Sequence, residues 1–183
     1  MTAPEVEWVL AQMADVADSV ATDYSLSDER DSDPVQLRRV DRDDSQIYDG
    51  DETVAMSEPL PERKGKLESG AYVGVASVDS DETPIGTGYD LDLERVVGLR
   101  LEGLHHAEYG HIDPSGEDGI PFAELKRRVR TALYDQRRFP DAGAANVSFT
   151  HLQLTNVADT SSDWRDFYRW DADIVFDGFE ELS

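Results

Sequence analysis

Apolar positions along the chain fall into short periodic bursts separated by acidic stretches. In the first burst Val6, Val9, Leu10, Met13, Val16 and Val20 recur at i, i+3, i+4 and i+7, with Trp8 beside the stripe. That period predicts a helix over 4–20 with one buried face. Pro4 suits a first helical turn, and Glu5 and Glu7 sit where the helix dipole favours acids. Residues 21–34 are polar and read as a connector. Val35, Leu37 and Arg39 allow a short strand at 35–40. Residues 41–69 mix Asp, Gly, Pro and charges around isolated apolar side chains, which predicts an arm or a hairpin excursion.

From residue 70 the period shortens. Tyr72, Val73, Val75 and Val78 predict a strand over 71–78, and DSDETPIGTG reads as turn material. Residues 89–104 carry the strongest strand pattern: Leu91 and Leu93, then Val97, Leu99 and Leu101, with an apparent slip of phase near 94–96 that suggests a bulge. Phe122, Leu125, Val129, Ala132 and Leu133 return to helical spacing and predict a helix over about 121–138, stopped by Pro140. Two further strands follow. In 146–154, Val147, Phe149 and His151 face one way, and Leu152 and Leu154 the other after an irregularity. In 167–176, Phe167, Arg169, Asp171 and Asp173 oppose Tyr168, Trp170, Ala172 and Ile174. The predicted class is therefore α+β: a mixed β-sheet with the N-terminal helix and a crossover helix packed on one face, plus a long loop or arm. We read 1–183 as one domain whose core is 70–178.

Charge changes the picture of the surroundings. The chain carries 40 acids against 17 bases, a net charge of −23, and only three of the bases are lysines. Self-repulsion on that scale opposes folding in dilute buffer. In molar salt the Debye length falls to about 3 Å and the repulsion is screened. Such a surface suits a cytoplasm of high salt and argues against whole-surface binding to nucleic acid or an anionic bilayer. The chain has no cysteine, which excludes disulfides, thiolate metal sites and cysteine nucleophiles. Residues 1–20 contain acids and no basic leader, so no signal peptide is expected, and no apolar run is long enough to span a membrane.

One segment departs from the acidic rule. Residues 120–138 hold two acids against six bases, a net charge of +4. On a helical wheel Lys126, Arg130 and Arg137 share a face beside the apolar stripe, with Arg127 and Arg138 farther round on the same side. These five are candidate residues for a subunit interface or a DNA channel, because arginine forks suit contacts with acidic groups. Pairing with acids of the same domain is the plainer alternative. Trp164 and Tyr168, in an aromatic-rich stretch, and Tyr48 and Met56, in the 41–69 excursion, are candidate partner contacts.

Catalytic patterns are weak. His105, His106, Glu108, His111 and Asp113 gather in one loop, but their spacing matches no standard zinc pattern. Gly86-Thr87-Gly88 precedes a strand, the reverse of a phosphate cradle, and reads as a turn. Asp171 and Asp173 share a strand face, as chance allows among forty acids. No catalytic residue, cofactor or metal is assigned.

The layout resembles the tail-terminator (tail-completion) proteins of long-tailed viruses, and by extension those of haloarchaeal tailed viruses. Tyr168-Arg169-Trp170-Asp171-Ala172-Asp173-Ile174-Val175-Phe176 is similar to the aromatic and acidic closing strand of that family, and Leu125–Leu133 to its helix. The resemblance covers the first helix and about residues 70–178. The insert at 21–69 departs from it. It implies a ring, typically of six copies, in the virion neck at the head-proximal end of the tail, assembled in the host cytoplasm at high salt. There it would stop tube polymerisation and contact the tail tube protein and a head-completion or connector protein, with passive contact to packaged DNA. No chemistry is implied. Other readings are a different neck or head–tail adaptor protein, or a small halophilic metal-dependent enzyme using the 105–113 loop.

Overall fold

The computed structural model describes residues 3–24, 38–41, 46–49, 52–55, 72–85, 90–106, 111–161 and 167–182. Helix α1 (Pro4–Tyr24) is followed by three short strands, β1 (Arg38–Asp41), β2 (Gln46–Asp49) and β3 (Glu52–Ala55). Two long strands come next, β4 (Tyr72–Ile85) and β5 (Asp90–Leu104), then helix α2 (Phe122–Asp135), and finally β6 (Val147–Asp159) and β7 (Phe167–Glu181). The fold is α+β. The strands form one sheet in the order β3-β2-β1-β4-β5-β7-β6. Its centre is the antiparallel set β4-β5-β7-β6, and β1 adds to β4 in parallel, which makes the sheet mixed. Strand β7 lies between β5 and β6, so α2 carries the chain across it from β5 to β6.

Both helices cover the same sheet face. Val97, Leu99 and Leu101 of β5 stand beside Trp170, Ala172 and Ile174 of β7. These six pack in one core with Val9, Met13 and Val16 of α1 and Leu125, Val129 and Leu133 of α2. The helical period at each helix and the twofold period in the strands meet here, which is why so acidic a chain still buries a continuous core. The opposite face mixes largely buried apolar pairs, Leu104 with Phe167 and Val96 with Val175, with charged side chains. Asp171 accepts from Arg100 Nε at 2.7 Å and from Arg169 Nε at 2.9 Å, and Asp173 accepts from Asn156 Nδ2 at 2.8 Å.

Four details differ from the sequence reading. Strand β4 runs on to Ile85 through residues that read as a turn. Pairing with Asp90–Val96 and the Glu82–Arg95 ion pair at 2.8 Å hold that polar stretch extended. Strand β5 keeps one phase throughout, and the irregularity lies across from it, between Ser77 and Asp79 of β4. A register shift between Phe149 and His151 brings Phe149, Leu152 and Leu154 to the helix side together, where the sequence reading divided them. The shift is tight: a Cβ on Gly178 would meet Ser148 O at 2.3 Å. Finally, α2 ends at Asp135 with Gln136 as its cap, so Arg137 and Arg138 lie beyond the helix and a wheel does not place them. The expected excursion is occupied in part by the β2–β3 hairpin, in which Gln46 pairs with Ala55.

Candidate functional site

The site is built where α2 meets β6. Residues 123, 126, 127, 130 and 134 repeat at three and four positions, so they fall on one side of α2, next to its buried stripe. That side faces β6, and the two elements enclose a groove of about 550 Å³. Trp170 and Leu154 line its apolar part, and Lys126, Arg127 and Arg130 supply its cations. Val157 stands beside it, 54% exposed within the second register shift in β6, between Thr155 and Ala158. Tyr134 closes one side, its hydroxyl accepting from the Leu154 backbone N–H at 3.3 Å.

The cations divide into two sets. Lys126 pairs with Asp159 and lies over the Phe122 ring, 5.3 Å from its centroid. Arg127 donates to both carboxylate oxygens of Glu124 at 2.7 Å. Arg128, half-buried, reaches Glu124 at 2.9 Å, Asp23 of α1 at 2.7 Å and Ser19 Oγ at 3.0 Å. The hydrogen bonds from Arg127 and then Arg128 hold the Glu124 carboxyl down at about 2, and the same bonds raise both guanidinium values. Burial pushes Asp159 up, but the Lys126 and Ser161 hydrogen bonds outweigh it and leave a net lowering. In this set the plainer alternative, pairing within the domain, holds.

Arg130, Arg137 and Arg138 form the second set. Among the described residues none of them has a carboxylate partner. Arg137 Nη1 donates to Tyr134 O at 3.2 Å. Arg137 and Arg138 belong to a segment that lies along the outer edge of β6. There Leu152 N–H donates to Arg137 O at 2.8 Å, Phe139 N–H donates to Thr150 O at 3.2 Å, and Arg138 bridges His151. That segment ends on Phe139, which is 75% exposed with φ +52°. An exposed phenyl ring in the left-handed region is costly, and such positions cluster at working surfaces.

The other expected contacts scatter. Tyr168 is half-buried against the core, 5.3 Å from the Phe122 ring, and belongs to the packing under α2. Tyr48 pairs with Thr53 in the β2–β3 hairpin, and nothing is described of its side chain. Met56 and Trp164 lie outside the described residues. Phe139, Val157 and Tyr134 escaped the sequence reading, and Leu154 entered it only as a strand position. Only Pro140 hinted at them, since it disfavours helix at residue 139, and that marks a break rather than an exposed ring.

Glu108 lies outside the described residues, and the described ends of the histidine loop, 105–106 and 111–113, are tied down. Ile112 N–H donates to Leu104 O and Ile120 N–H to His111 O, so the loop folds back on the end of β5. The buried Asp113 carboxylate accepts from the backbone N–H groups of Ser115, Glu117 and Asp118 and from Ser115 Oγ–H. The Asp118 and Ser115 hydrogen bonds hold its carboxyl far below the usual range. Its lone pairs are committed to the loop. Among the described residues no group of three or more His, Asp or Glu side chains is arranged to hold a metal ion. No protein-family model matches the chain, and no curated protein matches it.

Proposed function

We propose that the protein is a non-catalytic assembly protein of the tail-terminator kind, closing into a ring at the head-proximal end of a viral tail. One observation carries the reading. In a chain of net charge −23, cations that have no carboxylate partner among the described residues coincide with exposed apolar side chains along a single side, the outer side of β6 and α2. Arg130 and Val157 mark one end of that side and Arg138 and Phe139 the other. A side of this composition fits docking to an acidic partner, with apolar packing holding the contact when salt screens the charges. Head-to-tail contacts of this type generate rings when the rotation between copies closes. The ring would end tube growth by geometry and present its far side to a head-completion or connector protein.

Light scattering after size exclusion in molar salt tests the reading. A ring-sized species that binds the ends of tail tubes in electron micrographs is expected. A protein that stays monomeric at every salt concentration and binds Zn²⁺ or Mn²⁺ stoichiometrically overturns it.

A further inference from the structure

The groove between α2 and β6 offers apolar and cationic side chains together, and the molecule displays a matching feature at its other end. Strand β7 ends in Glu180 and Glu181, and Leu182 follows, 49% exposed. Among the described residues neither Glu180 nor Glu181 makes an ion pair. Exposed Leu182 behind the Glu181 carboxylate is the complement of a groove that offers Leu154 and Val157 beside Arg130, which has no carboxylate partner among the described residues.

The two features cannot meet within one copy. The groove floor is Trp170, near the start of β7, and Leu154 lies opposite Ile174. From those residues to Leu182 the chain runs along strand β7. Twelve residues from Trp170 at about 3.3 Å each amount to roughly 40 Å, and eight from Ile174 to about 26 Å. A complementary knob and hole at opposite ends of one sheet is the arrangement that joins copies head to tail.

We infer that the end of β7 in one copy seats in the α2–β6 groove of the next, with Leu182 against Leu154 and Val157 and the Glu181 carboxylate against Arg130, while Glu180 points to the other face of the sheet. The occupant is a second copy of this chain, and the inference rests on the assembly reading above. The apolar half of the contact sets its lifetime in molar salt. The charged half sets its orientation and is felt at lower salt.

Arg130, Glu181 and Leu182 are all exposed, so substitutions there leave the fold intact, and an unchanged thermal midpoint verifies this. Sedimentation is measured at the lowest salt at which circular dichroism shows the folded protein. Arg130→Glu is expected to weaken self-association about tenfold or more. Pairing it with Glu181→Arg is expected to restore association to within about threefold of the parent, as coupled neighbours do in a double-mutant cycle. Leu182→Asp is expected to weaken association in molar salt as well. If the parent assembles and all of these variants assemble equally, this contact is wrong while the assembly reading stands. If the parent never associates, the assembly reading fails and the contact with it.

Discussion

Phe139 holds a backbone conformation that an L-residue with a bulky side chain avoids, at a cost of roughly 1 kcal/mol. Exposed as it is, the ring recovers little of that by burial. Phe139→Asn, which tolerates the left-handed region, is therefore expected to raise stability by about 0.5–1 kcal/mol in denaturant titration while reducing self-association. A variant less stable than the parent would show that the ring packs on its own copy. Asp113 makes the opposite kind of prediction. Its folded carboxyl titrates below the ordinary 3.8, so its contribution is complete above that value and is lost as pH falls through the lower folded one. Asp113→Asn should lower the midpoint at neutral pH, flatten the strongly acidic limb of the stability curve, and speed hydrogen exchange at the Glu117 and Asp118 amides. The sequence singled out Asp113 for its histidine neighbours. Its actual work depends on three amides of its own loop, and such a bond pattern has no composition. Phe139 was invisible for a related reason, because a φ angle and an exposure are properties of the chain's path.

Helix α2 was legible almost to the residue. Its stripe of Phe122, Leu125, Val129 and Leu133 is buried as its period requires. Leu125→Ala should cost about 2–5 kcal/mol, read as a shift of the denaturant midpoint at constant slope. Only its last turn was misjudged, since Arg137 and Arg138 continue a favourable composition while the backbone leaves to pair with the β6 edge. The partners of its charges were not legible. Asp23 and Asp159 come to Arg128 and Lys126 from distant parts of the chain, and a local window holds only Glu124. Glu124 joins two of these cations in the first turn. Glu124→Gln should remove the acid dependence between its ordinary 4.5 and about 2, where stability falls as the carboxylate is protonated, and should cost about 0.5–1 kcal/mol at neutral pH through the helix dipole alone. The sheet was legible where hydrophobic alternation marks it, in β5 and β7. It was illegible where pairing alone makes the strand, in the polar second half of β4.

At the scale of the whole molecule, excess acid opposes compaction, and dissolved salt is what relieves it. The thermal midpoint should rise steadily with KCl concentration, and a flat response would show that the carboxylates are neutralised from within. The core at the centre of this charge is closed by elements from the two ends of the sequence: Trp8 of α1 meets Phe176 of β7 edge to face, with ring centroids 5.6 Å apart. That contact dictates an order of events during synthesis. Helix α1 leaves the ribosome before the other elements, and although it docks mainly on α2, β4 and β5, its seat is completed by a strand translated after all of them. Until then its apolar stripe has no complete seat, and most of the stability of a helix within a protein comes from such packing. The amides of α1 should thus gain protection late in refolding, after those of β5 and β7, when pulses of deuterium label the chain. The nascent chain is exposed through that helix until β7 has been made, and a chaperone would find its substrate there.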